Sequence, residues 1–224
     1  MGSKIKNHEF KCVLQSEWIV DLMKELLPDD GFLVEIGVGH VVSRDTLKRN
    51  FENPEIGGSH TAELIGLGWS GIYIDPIEEF CREATFLFKN DLTRVRILNY
   101  GASDQYEICT LYGMETLIPN AVTGYKDAFG AFYRYPNRRV LCKPTTDLLY
   151  EAECPKKIDF MIIDTEGFEE KVLRGLDFQK YEPKILFIEN DKVSDQSIKL
   201  LLPDPYMLVK RDNLNSCFVN TALI

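Results

Sequence analysis

The chain has 224 residues, is 45% hydrophobic and 27% charged, and carries a formal net charge of −9 at pH 7. That length suits a single domain over residues 1–224 with a full core, and the fractions are ordinary for a globular protein. The excess of acids excludes a nucleic-acid backbone as the expected partner, since that calls for clustered Lys and Arg.

Residues 1 to 15 read as irregular. They lack the apolar stretch of a signal peptide, and Lys6 stands where a myristoylation motif wants Ser or Thr. From Ser16 to Asp30 the spacing of Ile19, Leu22, Met23, Leu26 and Leu27 predicts a helix, ended by Pro28-Asp-Asp-Gly31. Phe32 to Ile36 reads as a buried strand, apolar except for Glu35. Gly37 and Gly39 then allow a tight turn and close approach of a ligand. Val41 to Gly57 is an insertion before the next helix, which starts at Ser59-His-Thr61 and runs to the Gly66 and Gly68 region. Gly71 to Asp75 is a second strand ending on an acid. A strand, a glycine turn, a helix and a strand ending in an acid make the nucleotide-binding half of a doubly wound α/β fold.

Pro76 suits the first turn of a helix from Ile77 to Lys89. Arg94 to Tyr100 alternates as a third strand, and Gly101-Ala-Ser-Asp104 reads as a polar turn. Tyr106 to Tyr112 is a strand outside the parallel core. Gly113 to Asn137 holds turn residues and the aromatics Tyr125, Phe129, Phe132, Tyr133 and Tyr135; it is either a lid or substrate loop, or a loop filled by its own rings. Arg139 to Lys143 is a short strand, and Thr145-Thr146 can cap a helix through Leu148 and Leu149. Ile158 to Ile163 is a continuous apolar run, as a central parallel strand requires. It ends at Asp164-Thr-Glu-Gly167, before a helix with Val172, Leu173 and Leu176 on one face. Lys184 to Ile188 is another buried strand, ending at Glu189-Asn190. Ser194 or Asp195 opens a helix to Leu202. Tyr206–Lys210 and Ser216–Asn220 make a C-terminal antiparallel pair. No apolar run spans a bilayer, so no membrane partner is expected.

In a parallel sheet a ligand sits at the carboxyl ends of the strands. Gly37, Gly39, Asp75, Ser103, Asp104, Asp164, Glu166, Glu189 and Asn190 all fall there. Asp75 can accept the hydroxyls of a ribose, and Asp104 the exocyclic amine of an adenine placed beside Ser103. The third glycine of a dinucleotide fingerprint is missing, since His40-Val-Val42 follows. That favours S-adenosylmethionine, which has no pyrophosphate, over NAD. Each residue also has a plainer reading: Asp75, Asp164 and Glu166 as helix caps, Asp104 as a turn residue, Glu35 as a partner of loop amides, His60 as a solvated residue at a helix start. The six scattered cysteines, Cys12, Cys81, Cys109, Cys142, Cys154 and Cys217, form no zinc pattern and lead to the expectation of a reduced, cytoplasmic setting.

Several blocks in this order carry a resemblance: Val34-Glu-Ile-Gly-Val-Gly39, Gly68-Trp-Ser-Gly-Ile-Tyr-Ile-Asp-Pro76, Gly101-Ala-Ser-Asp104, Ile158-Asp-Phe-Met-Ile-Ile-Asp-Thr-Glu-Gly-Phe-Glu169, Val172-Leu-Arg-Gly175 and Ile188-Glu189. Together they resemble the FkbM family of S-adenosylmethionine-dependent methyltransferases, over Phe32 to Phe218. The resemblance implies a Rossmann-like methyltransferase fold with a mostly parallel seven-stranded sheet. It also implies an O-methyltransferase acting on hydroxyls of sugars, glycans or other secondary metabolites. By position it implies cofactor binding by Glu35, Gly37, Gly39, Asp75, Ala102, Ser103, Asp104 and Asp164, with Glu166 in the block beside the transferred methyl. Ser59-His60-Thr61 stands where relatives begin the first helix much sooner, which makes Ser59 a further cofactor candidate.

The methyl acceptor is a weak nucleophile and needs a base or a metal. Asp164, Glu166 and Glu189 are the candidate catalytic acids, with His60 as a further base. The same three carboxylates have the oxygen chemistry of a Mg²⁺ site. Two alternatives stay open from the residues: a metal-dependent nuclease using Asp164 and Glu166, and a cofactor-binding scaffold without turnover.

Overall fold

The computed structural model describes residues 3–10, 18–41, 59, 61–112, 116–119, 138–190 and 193–224. The inserted segment is described only at Val41 and the aromatic loop only at 116–119, so the rest of the insertion, the residue His60 and the loop aromatics lie outside the described residues.

The elements run α1 (Lys4–Asn7), α2 (Trp18–Leu26), β1 (Phe32–Ile36), α3 (Ala62–Leu67), β2 (Ser70–Ile74), α4 (Glu78–Leu87), β3 (Val95–Leu98), β4 (Gly101–Ser103), β5 (Glu107–Tyr112), β6 (Thr116–Pro119), β7 (Arg138–Pro144), α5 (Thr145–Glu151), β8 (Lys157–Ile163), α6 (Glu169–Arg174), β9 (Glu182–Glu189), α7 (Asp195–Leu201), β10 (Tyr206–Arg211) and β11 (Asn215–Asn220).

Seven strands form one sheet in the order β10-β11-β9-β8-β1-β2-β3. β3, β2, β1, β8 and β9 run parallel to one another. β11 enters antiparallel beside β9 and pairs antiparallel with β10. This is the mostly parallel sheet with a C-terminal antiparallel pair that the hydrophobic pattern predicts. The strands are continuous apolar runs because helices cover both faces. One face is filled by Leu33, Trp69, Tyr73, Phe160, Phe187 and residues of α2 and α3. The other is filled by Val34, Ile36, Met161, Ile163, Leu186, Ile188 and residues of α5, α6 and α7. Alternation along β1 sends Leu33 to one face and Val34 to the other.

Three expectations change. Residues 4–7 are helical rather than irregular: Ser3 caps the turn through Lys6 N, and buried Ile5 anchors it in the core. Gly101–Ser103 is a strand rather than a polar turn. It pairs in parallel with β7 in a second sheet, ordered β4-β7-β5-β6. Alternation cannot be read in a three-residue strand, so its only sequence signal was the glycine. Thr145 does not cap α5 but begins it, after Pro144, and its hydroxyl donates to Val172 O at 2.8 Å. A third apolar cluster of Ile77, Phe80, Cys109, Leu111, Cys142 and Phe168 packs the second sheet against the starts of α4 and α6. Among the described residues no helix is long and apolar enough to cross a membrane.

Candidate active site

The strand order reverses between β1 and β8, and the carboxyl ends of these two strands carry the two turns that define the site. Gly37 follows β1 with φ +83° and donates its N–H to Ile74 O at 2.9 Å. A Cβ at Gly37 would lie 1.5 Å from the carbonyl oxygen of Asp164, so the two turns meet at a point where only glycine fits. Gly39 has φ +60°, yet among the described residues a Cβ there would meet no atom within 4 Å.

Asp75, just past β2, holds this turn from across the sheet. Its Oδ2 accepts from Val38 N at 2.9 Å and Gly39 N at 3.1 Å, and its Oδ1 accepts from Ile77 N at 2.7 Å. Burial pushes its pKa up to about 6, even though the three amides work the other way. A carboxylate offers about four lone-pair sites, so three amides leave capacity for one more donor. The chain leaving the turn is fixed by His40, whose Nδ1 lies 2.9 Å from Glu83 Oε1 and whose ring meets Phe80 edge-on at 4.4 Å.

Glu35 and Ser59 come together inside the protein. Glu35 is fully buried, and its Oε2 accepts from Ser59 Oγ at 3.0 Å and from Thr61 Oγ1. Ser59 Oγ in turn accepts from Thr61 N at 3.2 Å and Ala62 N at 3.1 Å, which starts α3. These bonds tie the start of α3 to β1 through Glu35.

The second turn, Asp164-Thr-Glu-Gly167, follows β8. Asp164 N donates to Ile36 O at 2.9 Å, which continues the β1–β8 ladder into the turn. Glu166 has φ +56° and Gly167 φ +106°, so a non-glycine residue holds a left-handed conformation at the rim. Glu169 compensates. Its Oε1 accepts from Thr165 N at 3.0 Å, Thr165 Oγ1 at 2.9 Å and Gly167 N at 3.0 Å. Burial raises the pKa of Glu169, against those hydrogen bonds. Asp164, Glu166 and Glu189, at the end of β9, each offer an oxygen within 4.8 Å of the others. The candidate acids therefore form one group, as a shared proton-transfer or cation role requires.

Beyond Asp75, Asn99 Nδ2 donates to Asp75 O at 3.0 Å, and the chain continues into β4. Ala102 and Ser103 are buried there, and Asp104 is half-buried. Gly175 explains the end of the Val172-Leu-Arg-Gly175 block: a Cβ would lie 1.9 Å from Ser103 O, so α6 closes directly onto β4. Ser103 Oγ donates to Glu107 Oε1 at 2.5 Å, and Glu107 binds the Lys171 ammonium. Burial works against the charge on Glu107, and Lys171 with Ser103 holds its pKa below the usual range.

The structure thus places Gly37, Gly39, Asp75 and Asp164 around one junction and groups Asp164 with Glu166 and Glu189. A family model described as the methyltransferase FkbM domain matches residues 51–207. The chain belongs to the FkbM methyltransferase family. Comparison with curated proteins found no match. The FkbM match starts beyond the glycine turn, and the parallel ladder of β1 with β2 and β8 joins that turn to the matched region. Sequence reasoning assigned no role to Glu169, Glu107 or Lys171. Glu169 had a readable signal, an acid in the first turn of a helix behind a glycine-containing turn. Glu107 and Lys171 come from different elements, and only the folded chain brings them together.

Proposed function

We propose that this FkbM-family protein is an S-adenosylmethionine-dependent O-methyltransferase acting on a hydroxyl of a sugar, a glycan or another small secondary metabolite. The observation that carries the reading is the junction of the two turns, with a bare backbone at Gly39 beside Asp75 and a carboxylate group beside it at the end of β8. The donor set suits the cofactor. Asp75 has lone-pair capacity for a ribose hydroxyl, Asp104 is acceptor-only and suits an adenine amine, and the acids suit a cationic centre.

The cofactor supplies an activated methyl group on a sulfonium. The chain has to align an acceptor oxygen with it, and such positioning can lower the barrier by about 7–11 kcal/mol. Asp164 is fixed by its backbone bond to Ile36 and by its contact with Gly37, so it is the group best placed to accept the acceptor proton. A Mg²⁺ ion is the second reading, carried by the closeness of these oxygens alone: Asp164, Glu166 and Glu189 would hold it, and it would polarise the acceptor oxygen. The nuclease alternative loses its ground to the family match.

The test is incubation with methyl-labelled S-adenosylmethionine and a panel of sugars, glycosides and phenols. Label on an acceptor oxygen and release of S-adenosylhomocysteine are expected. Asp164→Asn should retain cofactor binding and lose turnover; wild-type turnover by that variant would refute its role. Turnover that survives chelation of divalent ions would remove the Mg²⁺ reading. Cofactor binding without turnover on any acceptor would support the scaffold alternative.

A further inference from the structure

The rim of β4 holds two carboxylates around one hydroxyl and one ammonium. Ser103 Oγ lies 2.5 Å from Glu107 Oε1 and 3.3 Å from Asp104 Oδ1. A hydroxyl has one proton to donate, and the shorter distance assigns it to Glu107. Asp104 and Glu107 would then repel each other across Ser103. Lys171 of α6 prevents this: its Nζ binds Glu107 and lies 3.8 Å from Asp104 Oδ1. The Lys171 ammonium also lies 5.1 Å from the centre of the Phe168 ring, and its side chain is only 23% exposed. Both contacts to Asp104 fall on Oδ1, and among the described residues Oδ2 accepts no hydrogen bond.

We propose that Lys171 is a positioning residue for cofactor specificity: it holds Asp104 inward, so that Oδ2 accepts from a 6-amino purine and rejects a 6-oxo purine. The inference rests on the placement of adenine beside residues 102–104 in the proposed function. Its chemistry is simple. An ionised carboxylate only accepts hydrogen bonds, so it pairs with the amine of adenine and opposes the carbonyl of hypoxanthine. Without the ammonium, repulsion from Glu107 turns half-exposed Asp104 toward water, and the choice between the two bases weakens.

The experiment is calorimetric titration of the full chain with S-adenosylhomocysteine and with S-inosylhomocysteine at neutral pH. Wild type should prefer the adenine compound by roughly tenfold or more, as expected where an acceptor-only group reads a donor. Lys171→Met keeps the length of the stem and removes the charge; its preference should fall below about threefold. Glu107→Gln removes the competing carboxylate and should keep the preference. An unchanged preference in Lys171→Met overturns the inference while leaving the cofactor assignment standing. If Lys171→Met does not fold, loss of the preference in Glu107→Gln overturns it instead. Absence of S-adenosylhomocysteine binding to wild type overturns the functional reading and this inference with it.

Discussion

The two turns of the site use the same device in different ways. In each, one buried carboxylate accepts three hydrogen bonds and thereby fixes a left-handed backbone. Asp75 does this from across the sheet, holding Val38 and Gly39 of a turn that follows another strand. Glu169 does it locally, reaching back two to four residues to Thr165 and Gly167. The consequence is a difference in division of labour. Asp75 both shapes its turn and offers the lone pair a ligand would use. Glu169 shapes the turn that carries Asp164 and Glu166. A turn held by a residue outside the chemistry can carry reactive groups; a turn held by the binding residue couples binding to its own shape.

The most severe way to break this arrangement is at the point where the turns touch. Gly37→Ala adds a Cβ 1.5 Å from Asp164 O at φ +83°. A loss on the order of 3–5 kcal/mol, or no folded protein, is expected in urea denaturation. The local clamp comes next. Glu169→Ala leaves Thr165 N, Thr165 Oγ1 and Gly167 N without their acceptor, and should cost about 2–4 kcal/mol. Glu169→Gln, which keeps an acceptor oxygen, should recover part of that loss. If Glu169→Ala unfolds at the wild-type urea concentration, the clamp is not what holds the turn.

A smaller effect separates the two glycines of the first turn. Gly39→Ala meets no neighbour among the described residues and should cost only about 1–2 kcal/mol, for its left-handed backbone. The smallest effect is the pH response of Asp75. Its folded pKa of about 6 lies above the ordinary 3.8. As pH falls through 6 toward 4, the native state takes up a proton that the unfolded state does not, so this group's contribution to stability rises. Over the same window the carboxylate is lost, and binding of a ribose diol should weaken. The wild-type minus Asp75→Asn difference in urea midpoint at pH 7 and pH 5 measures the first, and titration with S-adenosylhomocysteine the second. Stability and affinity moving in the same direction would contradict the double role of Asp75.

The sequence reveals the strands and their ends because buried parallel strands are apolar runs closed by polar residues. Ile158 to Ile163 before Asp164 is the clearest case. Its local clamp was also within reach, since Glu169 follows its turn in the same short block. Cross-strand partners were not. Nothing in the spacing of Glu35, Ser59 and Thr61 says that they bond one another, because the intervening segment sets no register. The second sheet was hidden for the same reason: Gly101–Ser103 becomes a strand through β7, some forty residues later. The site residues were thus legible as positions on one rim, while the groups that orient them depended on tertiary contacts.

The backbone at Gly39, beside Asp75, is the proposed cofactor seat. Its most direct test is calorimetric titration of wild type and Gly39→Ala with S-adenosylhomocysteine. Among the described residues the added methyl meets nothing, so the variant should stay folded yet bind on the order of tenfold or more weakly, as the methyl enters the ligand's space. Equal affinity in the two proteins, or no binding to wild type, would contradict the account.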